Sequence, residues 1–335
     1  MKYFSFFSGI GGFEFAMRKE VPEAHCIGFS EIDKRALSVY TKHYPSHVNW
    51  GDITKIDSTE FAKHIRKQAC GMIVGGFPCT NLSSQANLRG NNKGIDGPQS
   101  GLVRPFCKLI KAAIKVNPEL DFVIENNASM RHIEKKRITR IIKSLTKRKV
   151  YVTELNAASF GMQQRRRIFW TTFPILSIPN VQPSWSKILL PLKEARQFAC
   201  EDTFVKSYLN STNTKRKSPT KTTTKAVGVS TTTWKLVTVK STLHSRFHMN
   251  FLHDTNMKRS RPILCSSTNT IILDRRPKRG VLIRKLSTTE LERLFHFPDG
   301  YVRDVSFNSS VKLLGNSVNV GVIRHIAKSW KQSRK

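Results

Sequence analysis

Over its first 170 residues the chain alternates short apolar runs with helical periodicities, and no other feature restricts its fold as much. The runs predict strands at 2–7, 26–30, 72–76, 121–125, 150–154 and 168–172. The stretches between them predict helices at 12–19, 33–43, 58–68, 102–116 and 133–147. Such alternation builds a doubly wound α/β fold, a mostly parallel sheet with helices on both faces. In the helix at 102–116, Leu102, Phe106, Leu109, Ile110 and Ala113 share one face, as a buried stripe requires. Order returns late in the chain, where Ser287-Thr288-Thr289-Glu290 reads as a capping box. An apolar stripe of Leu291, Leu294 and Phe295 follows, Phe297-Pro298-Asp299-Gly300 closes that helix, and a last helix spans about 319–330.

The 335 residues suffice for two domains of ordinary size. Lys and Arg number 57 against 23 Asp and Glu, a net charge of +34, which points to a polyanionic partner and first to a nucleic acid. The excess is concentrated at 203–262, which holds 12 Lys or Arg, a single acidic residue (Asp254) and 20 Ser or Thr. That composition suits phosphate contacts, and it suits a solvated insertion as well. Apolar runs are too short to cross a bilayer, and the first 20 residues do not have the layout of a secretory signal. Six cysteines (26, 70, 79, 107, 200 and 265) form no CxxC pair, so neither a structural metal nor a disulfide framework is expected, and a reducing compartment is.

The first strand runs into Phe7-Ser8-Gly9-Ile10-Gly11-Gly12-Phe13. Glycines here let the backbone approach a ligand at the carboxyl edge of the sheet, although a purely structural turn has the same look. The string is not GxGxxG, which disfavours a dinucleotide pyrophosphate. Glu31, at the end of the second strand, stands where a carboxylate accepts hydrogen bonds from a ribose diol. Asp52, followed by Ile53, is placed to accept from an exocyclic adenine amine. Together they suggest an adenosine ligand without a phosphate chain, such as S-adenosylmethionine.

Met72-Ile73-Val74-Gly75-Gly76-Phe77-Pro78-Cys79 is a buried strand that delivers a cysteine onto a proline-shaped loop at the same edge. Partial exposure near positive charge is expected to lower the pKa of Cys79 and make it nucleophilic, against the alternative of an inert core thiol. Asp121-Phe122-Val123-Ile124-Glu125 repeats the design, with burial expected to raise the pKa of Glu125 until it can donate a proton. The same carboxylate also fits the start of a helix. In Gln163-Gln164-Arg165-Arg166-Arg167, strand alternation puts Arg165 and Arg167 on one face, where they can hold a nucleotide or simply contact phosphates.

In this order the motifs resemble the DNA cytosine-5 methyltransferase family over the whole chain except about 171–260. The matching strings are the glycine loop, Ser30-Glu31-Ile32-Asp33, Gly51-Asp52-Ile53-Thr54, and Gly76-Phe77-Pro78-Cys79 with Asn81-Leu82-Ser83. They continue with Glu125-Asn126, Gln163-x-Arg165-x-Arg167 and Gly315-Asn316-Ser317-Val318. Pro78-Cys79-Thr80-Asn81 and Arg167-Ile168-Phe169-Trp170 are locally similar to the eukaryotic de novo class, while the length is that of a bare bacterial or viral enzyme. Thr80, Asn127, Met162 and Asn319 depart from the usual family residues, and none removes a reacting group.

The resemblance implies a mixed, Rossmann-like doubly wound sheet in a catalytic domain of residues 1–170 plus 263–335, with a smaller basic target-recognition domain at 171–262. It implies Cys79 as nucleophile toward carbon 6 of a flipped cytosine, Glu125 at ring nitrogen 3, and Arg165 and Arg167 holding the nucleotide, one at phosphate and one at the base carbonyl. Phe7, Gly9, Ile10, Gly11, Gly12, Glu31, Asp52, Ile53, Pro78, Asn316 and Val318 would bind S-adenosylmethionine. The expected partner is double-stranded DNA, with CpG as target by local likeness, acted on by a monomer without a membrane or metal. The expected location is the bacterial cytoplasm or nucleoid, or a nucleus if the gene is eukaryotic or from a virus of eukaryotes. A tRNA cytosine-5 methyltransferase shares the catalytic set, but its Cys-Phe-Thr tripeptide is missing here. A catalytically dead DNA-binding relative would have lost Cys79, Glu125 or the arginines.

Overall fold

Two hydrophobic clusters, one on each face of a single sheet, organise the computed structural model, which describes residues 1–82, 93–179, 181–200, 253–255, 260, 270–277 and 282–334. The strands are β1 (Lys2–Phe6), β2 (His25–Ser30), β3 (Met72–Gly76), β4 (Asp121–Asn127), β5 (Tyr151–Asn156) and β6 (Arg166–Thr171). Their order is β2-β1-β3-β4-β6-β5, with the first four parallel and β6 antiparallel to both its neighbours. This is the mixed, doubly wound sheet expected from the sequence.

Period-2 alternation decides which side chain enters which cluster. Tyr3, Met72, Val74, Val123 and Phe169 face the first cluster, while Phe4, Phe6, Ile73, Phe122, Ile124, Ile168 and Trp170 face the second. The helices α1 (Gly12–Glu20), α2 (Lys34–His43), α3 (Ser58–Gln68), α4 (Val103–Val116) and α5 (His132–Thr146) lie where the periodicity placed them. Helices α3, α4 and α5 cover the second cluster through Phe61, Ile65, Phe106, Ile110, Ile138 and Ile142. The first is covered by α1 and by three later helices, α6 (Thr288–Leu294), α7 (Phe307–Asn316) and α8 (Val320–Ser333). Ser287 caps α6 in a full capping box with Glu290, as predicted.

Among the described residues, helix α7 and a late hairpin are not predicted by the sequence. Helix α7 has a polar first turn, and the hairpin of β7 (Ile271–Asp274) and β8 (Leu282–Lys285) is held by a buried ionic knot that only the folded chain assembles. In that knot the fully buried Arg284 donates to Asp274 (3.0 Å) and to both carboxylate oxygens of Glu290 (2.7 Å each). It ties the hairpin to α6. Arg284→Ala leaves two buried carboxylates without their shared cation, and a loss of about 3–5 kcal/mol is expected. A urea transition with unchanged slope and a much lower midpoint checks this, whereas a shift worth less than about 1 kcal/mol would contradict it.

Most of the segment assigned to target recognition, including 201–252, lies outside the described residues, as do Ser83 and Cys265. Of its beginning, Phe173, Trp185, Ile188 and Leu189 pack into the first cluster beside Leu291 and Phe295. Ser260 pairs across from the arginine motif, donating its N–H to the Met162 carbonyl (2.7 Å) and accepting from the Gln164 N–H (3.1 Å).

Candidate active site

The turn after β1 is shaped by left-handed backbone at Phe7, Gly9 and Gly11, with φ of 52°, 55° and 87°. A Cβ built on Gly9 meets nothing within 4 Å, so the main chain there lies open to a ligand. On Gly12 a Cβ would stand 2.7 Å from Val318 Cγ2, which shows that the last motif packs directly on the glycine loop. Tyr301 donates its hydroxyl to the Ile10 carbonyl at 2.8 Å and fixes the loop from the other side. The side chains of Ile10 and Ile53 are themselves buried in the clusters.

Glu31 closes on this loop. Its Oε2 accepts from the Gly9 N–H (2.8 Å), and its Oε1 accepts from the N–H groups of Ile32 (2.7 Å) and Asp33 (2.9 Å). Asn49, which drew no attention in the sequence, links Glu31 to the third motif. Its Oδ1 accepts from the N–H groups of Glu31 (3.2 Å) and Gly51 (3.0 Å), and its Nδ2 donates back to the Glu31 carbonyl (3.1 Å). Asp52 accepts from the Thr54 N–H (2.9 Å) and hydroxyl (2.8 Å), which hold its carboxyl below the usual range. Between Glu31 and Asp33, Ile32 is 66% exposed, a bare apolar surface beside two carboxylates.

Cys79 follows β3 on a loop pinned from two sides. Ser100 donates its hydroxyl to the Pro78 carbonyl (3.0 Å) and accepts from the Asn81 N–H (3.2 Å). Asn126 Nδ2 donates to the Phe77 carbonyl (2.8 Å). Glu125 stands on β4 in register with Gly76 of β3. A Cβ on Gly76 would lie 2.5 Å from Glu125 Oε2, so only glycine leaves the carboxylate its place.

The two arginines share that side of the sheet and have different partners. Arg167 Nε meets Glu125 Oε1 at 2.8 Å. Arg165, 5% exposed, donates Nη2 to the carbonyls of Gly315 (2.9 Å) and Ser317 (2.7 Å) and lies 5.1 Å over the Phe295 ring. It fastens the last motif to β6, while Arg166, on the opposite face, pairs with Glu154. Asn316 is exposed at the end of α7.

Electrostatics correct one expectation. Burial pushes the Cys79 thiol up, the Arg167 guanidinium offsets only part of that rise, and Glu125 adds to it. The predicted lowering therefore fails, because the depth of the loop outweighs the neighbouring cation. Glu125 behaves as expected: burial raises its pKa, and Arg167 and then Arg165 oppose the rise. Asn319 is a further positioning residue that the sequence showed only as a departure from the family. Its Oδ1 caps α8 through the Gly321 N–H (3.1 Å), and its Nδ2 donates to Gln163 Oε1 (3.2 Å) and to the Leu294 carbonyl (3.1 Å).

A doubly wound sheet with an antiparallel β6–β5 edge, carrying an open glycine loop, is the architecture of a methyltransferase of the Rossmann-like class. The fold agrees with the methyltransferase EhMeth of Entamoeba histolytica (TM-score 0.69, 15% identity, 100% of this chain and 99% of that one). It agrees also with DNMT2 of Spodoptera frugiperda (TM-score 0.65, 17% identity, 98% of each chain). The profile of the C-5 cytosine-specific DNA methylases matches residues 1–332, and the chain belongs to that family. Among curated relatives, the type II methyltransferase M.NlaX of Neisseria lactamica is 26% identical over 98% of this chain and 96% of its own length. M.MspI of Moraxella sp is 26% identical over 97% of this chain and 69% of its own. The match to M2.BsuMI of Bacillus subtilis, at 31% identity, spans 50% of this chain and 40% of that protein. Among the described residues, no group of three or more His, Cys, Asp or Glu side chains could hold a metal ion, and no helix is long and apolar enough to cross a membrane.

Proposed function

We propose that this DNA cytosine-5 methyltransferase acts on a cytosine flipped out of duplex DNA, with Cys79 as covalent nucleophile and Glu125 as the acid at ring nitrogen 3. The observation that carries the reading is the meeting of Cys79 after β3, Glu125 near the end of β4 and Arg167 at the start of antiparallel β6, with the glycine loop on the same edge of the sheet.

The residues present fit S-adenosylmethionine. The open main chain at Gly9 allows close approach, Glu31 Oε2 retains a lone pair for a ribose hydroxyl, and Asp52, held ionised, suits an exocyclic amine. Phe7, Gly11, Gly12, Pro78, Asn316 and Val318 would complete that site, with Ile10 and Ile53 contributing from beneath. Bound there, the cofactor supplies an electrophilic methyl group on a sulfonium. The protein's own part is to make carbon 5 of the base electron-rich enough to take it.

Cys79 Sγ forms a bond to carbon 6, and the electron pair of the 5,6 double bond moves through the ring to nitrogen 3, which Glu125 protonates. Carbon 5, now enamine-like, accepts the methyl group. A base, for which solvent water suffices, takes the carbon 5 proton as that C–H electron pair rebuilds the 5,6 double bond and expels the thiolate. Nitrogen 3 returns its proton to Glu125, which restores the ring. Glu125 and Cys79 assist each other: protonating Glu125 removes the negative charge that raises the thiol and leaves the Arg167 cation to favour a thiolate. Arg167 is the group placed to meet the nucleotide, and Arg165 positions Gly315 to Ser317. Residues 171–262 serve as the target-recognition domain, with CpG as the target favoured by local likeness.

Transfer of a labelled methyl group from S-adenosylmethionine to unmethylated duplex tests the reading, and a duplex that never gains label overturns it. The pH profile adds a sharper check. Arg167 lowers the thiol pKa, so Arg167→Ala should move the rising limb of kcat/KM to higher pH, besides reducing its height. A limb that stays in place would remove Arg167 from the control of Cys79.

A further inference from the structure

We infer that the outer face of α4 and α5 is a second surface for the sugar–phosphate backbone of duplex DNA, separate from the catalytic edge. This rests on the reading of duplex DNA as substrate.

Helix α4 contains no acidic residue, and its exposed side carries Lys108, Lys111 and Lys115 at i, i+3 and i+7. Helix α5 exposes Lys136, Arg140 and Lys143 at i, i+4 and i+7. The two helices pack side by side on the second cluster, so both rows point away from the sheet. Among the described residues none of these six cations has an ion-pair partner. The nearby carboxylates are engaged elsewhere: Asp96 with Arg104 and Arg137, Glu134 with Arg131 and Arg137, Glu154 with Arg166 and Lys135. Two cations on other helices do have partners: Lys42 pairs with Asp304 (2.9 Å) and Arg324 with Glu20 (2.6 Å).

Left unpaired, six like charges repel one another, and a polyanion relieves the repulsion. The dimensions favour a duplex. Each row covers about 10 Å of helix, and packed helices lie about 8–10 Å apart. Duplex DNA carries one phosphate per ~1.7 Å of its axis with both strands counted, so a patch of this size faces several phosphates at once. The described beginning of the recognition segment packs into the first cluster, across the sheet from this face. A contact here therefore engages a further stretch of a long DNA and leaves the short target site to the catalytic edge.

The test is a variant combining Lys111→Gln, Lys136→Gln, Arg140→Gln and Lys143→Gln in the full chain, with circular dichroism to verify the fold. Binding to a long duplex is followed against salt, and turnover is measured on a short duplex carrying one target. Each lost phosphate contact removes ~0.9 from the log–log salt slope, so the slope should become shallower by about 3–4 while kcat on the short duplex stays at the wild-type value. An unchanged slope on long duplex overturns the inference. So does a variant that loses affinity for structured RNA alone. Because the slope is read without methyl transfer, a wild-type protein that binds duplex but never methylates it sinks the substrate reading and still leaves this surface decided by the slope.

Discussion

Cys79→Ser is expected to abolish methyl transfer, by on the order of 10⁴-fold or more, while the protein remains folded and still binds DNA and cofactor. A serine hydroxyl replaces the thiol with almost no change of volume. It does not ionise near neutral pH, even beside Arg167, so no bond to carbon 6 forms. The loop that carries residue 79 is held by Ser100 and Asn126 through main-chain carbonyls, and neither contact involves the sulfur. Stability and loop geometry should therefore be unaffected. Single-turnover methylation beside an unfolding midpoint measures both halves of the claim. Turnover that survives in the serine variant would remove Cys79 as nucleophile.

Glu125→Gln is expected to cost about 10²–10⁴ in the rate of transfer with little change in cofactor affinity. The amide can still donate a hydrogen bond, but it cannot give a proton to ring nitrogen 3. Burial raises the carboxyl pKa and so favours the protonated form that donates. The amide forfeits that supply. The glycine loop, Glu31 and Asp52, to which the cofactor is assigned in this proposal, make no hydrogen bond to Glu125. Single-turnover rates, with the cofactor Kd measured separately, distinguish the two effects, and an unchanged rate would sink the role assigned to Glu125.

Much of this was legible beforehand because it is local. Periodicity located α1 to α5 and the six strands to within a few residues, and short apolar runs ending in Cys79 and Glu125 marked two deliveries to one edge. The unforeseen features depend on contacts between distant parts of the chain. Arg165 reads as a nucleotide clamp until Gly315 and Ser317 fold back onto it. Arg284 reads as one more basic residue until Asp274 and Glu290 close around it. Asn49 and Asn319 are polar loop residues whose spacing carries no signal, and their purpose appears only in the hydrogen bonds they share with Glu31 and Gln163. The Cys79 pKa was misjudged for a related reason. A sequence shows the neighbouring cation and not the depth at which the thiol sits.

The most direct measurement of the central claim is bisulfite sequencing of plasmid DNA from a methylation-deficient bacterial host that expresses this chain, beside the same host expressing Cys79→Ser. Protected cytosines at one short recurring sequence, absent from the variant's plasmid, are the predicted result. Complete conversion of both plasmids, with the protein soluble and well expressed, would contradict it.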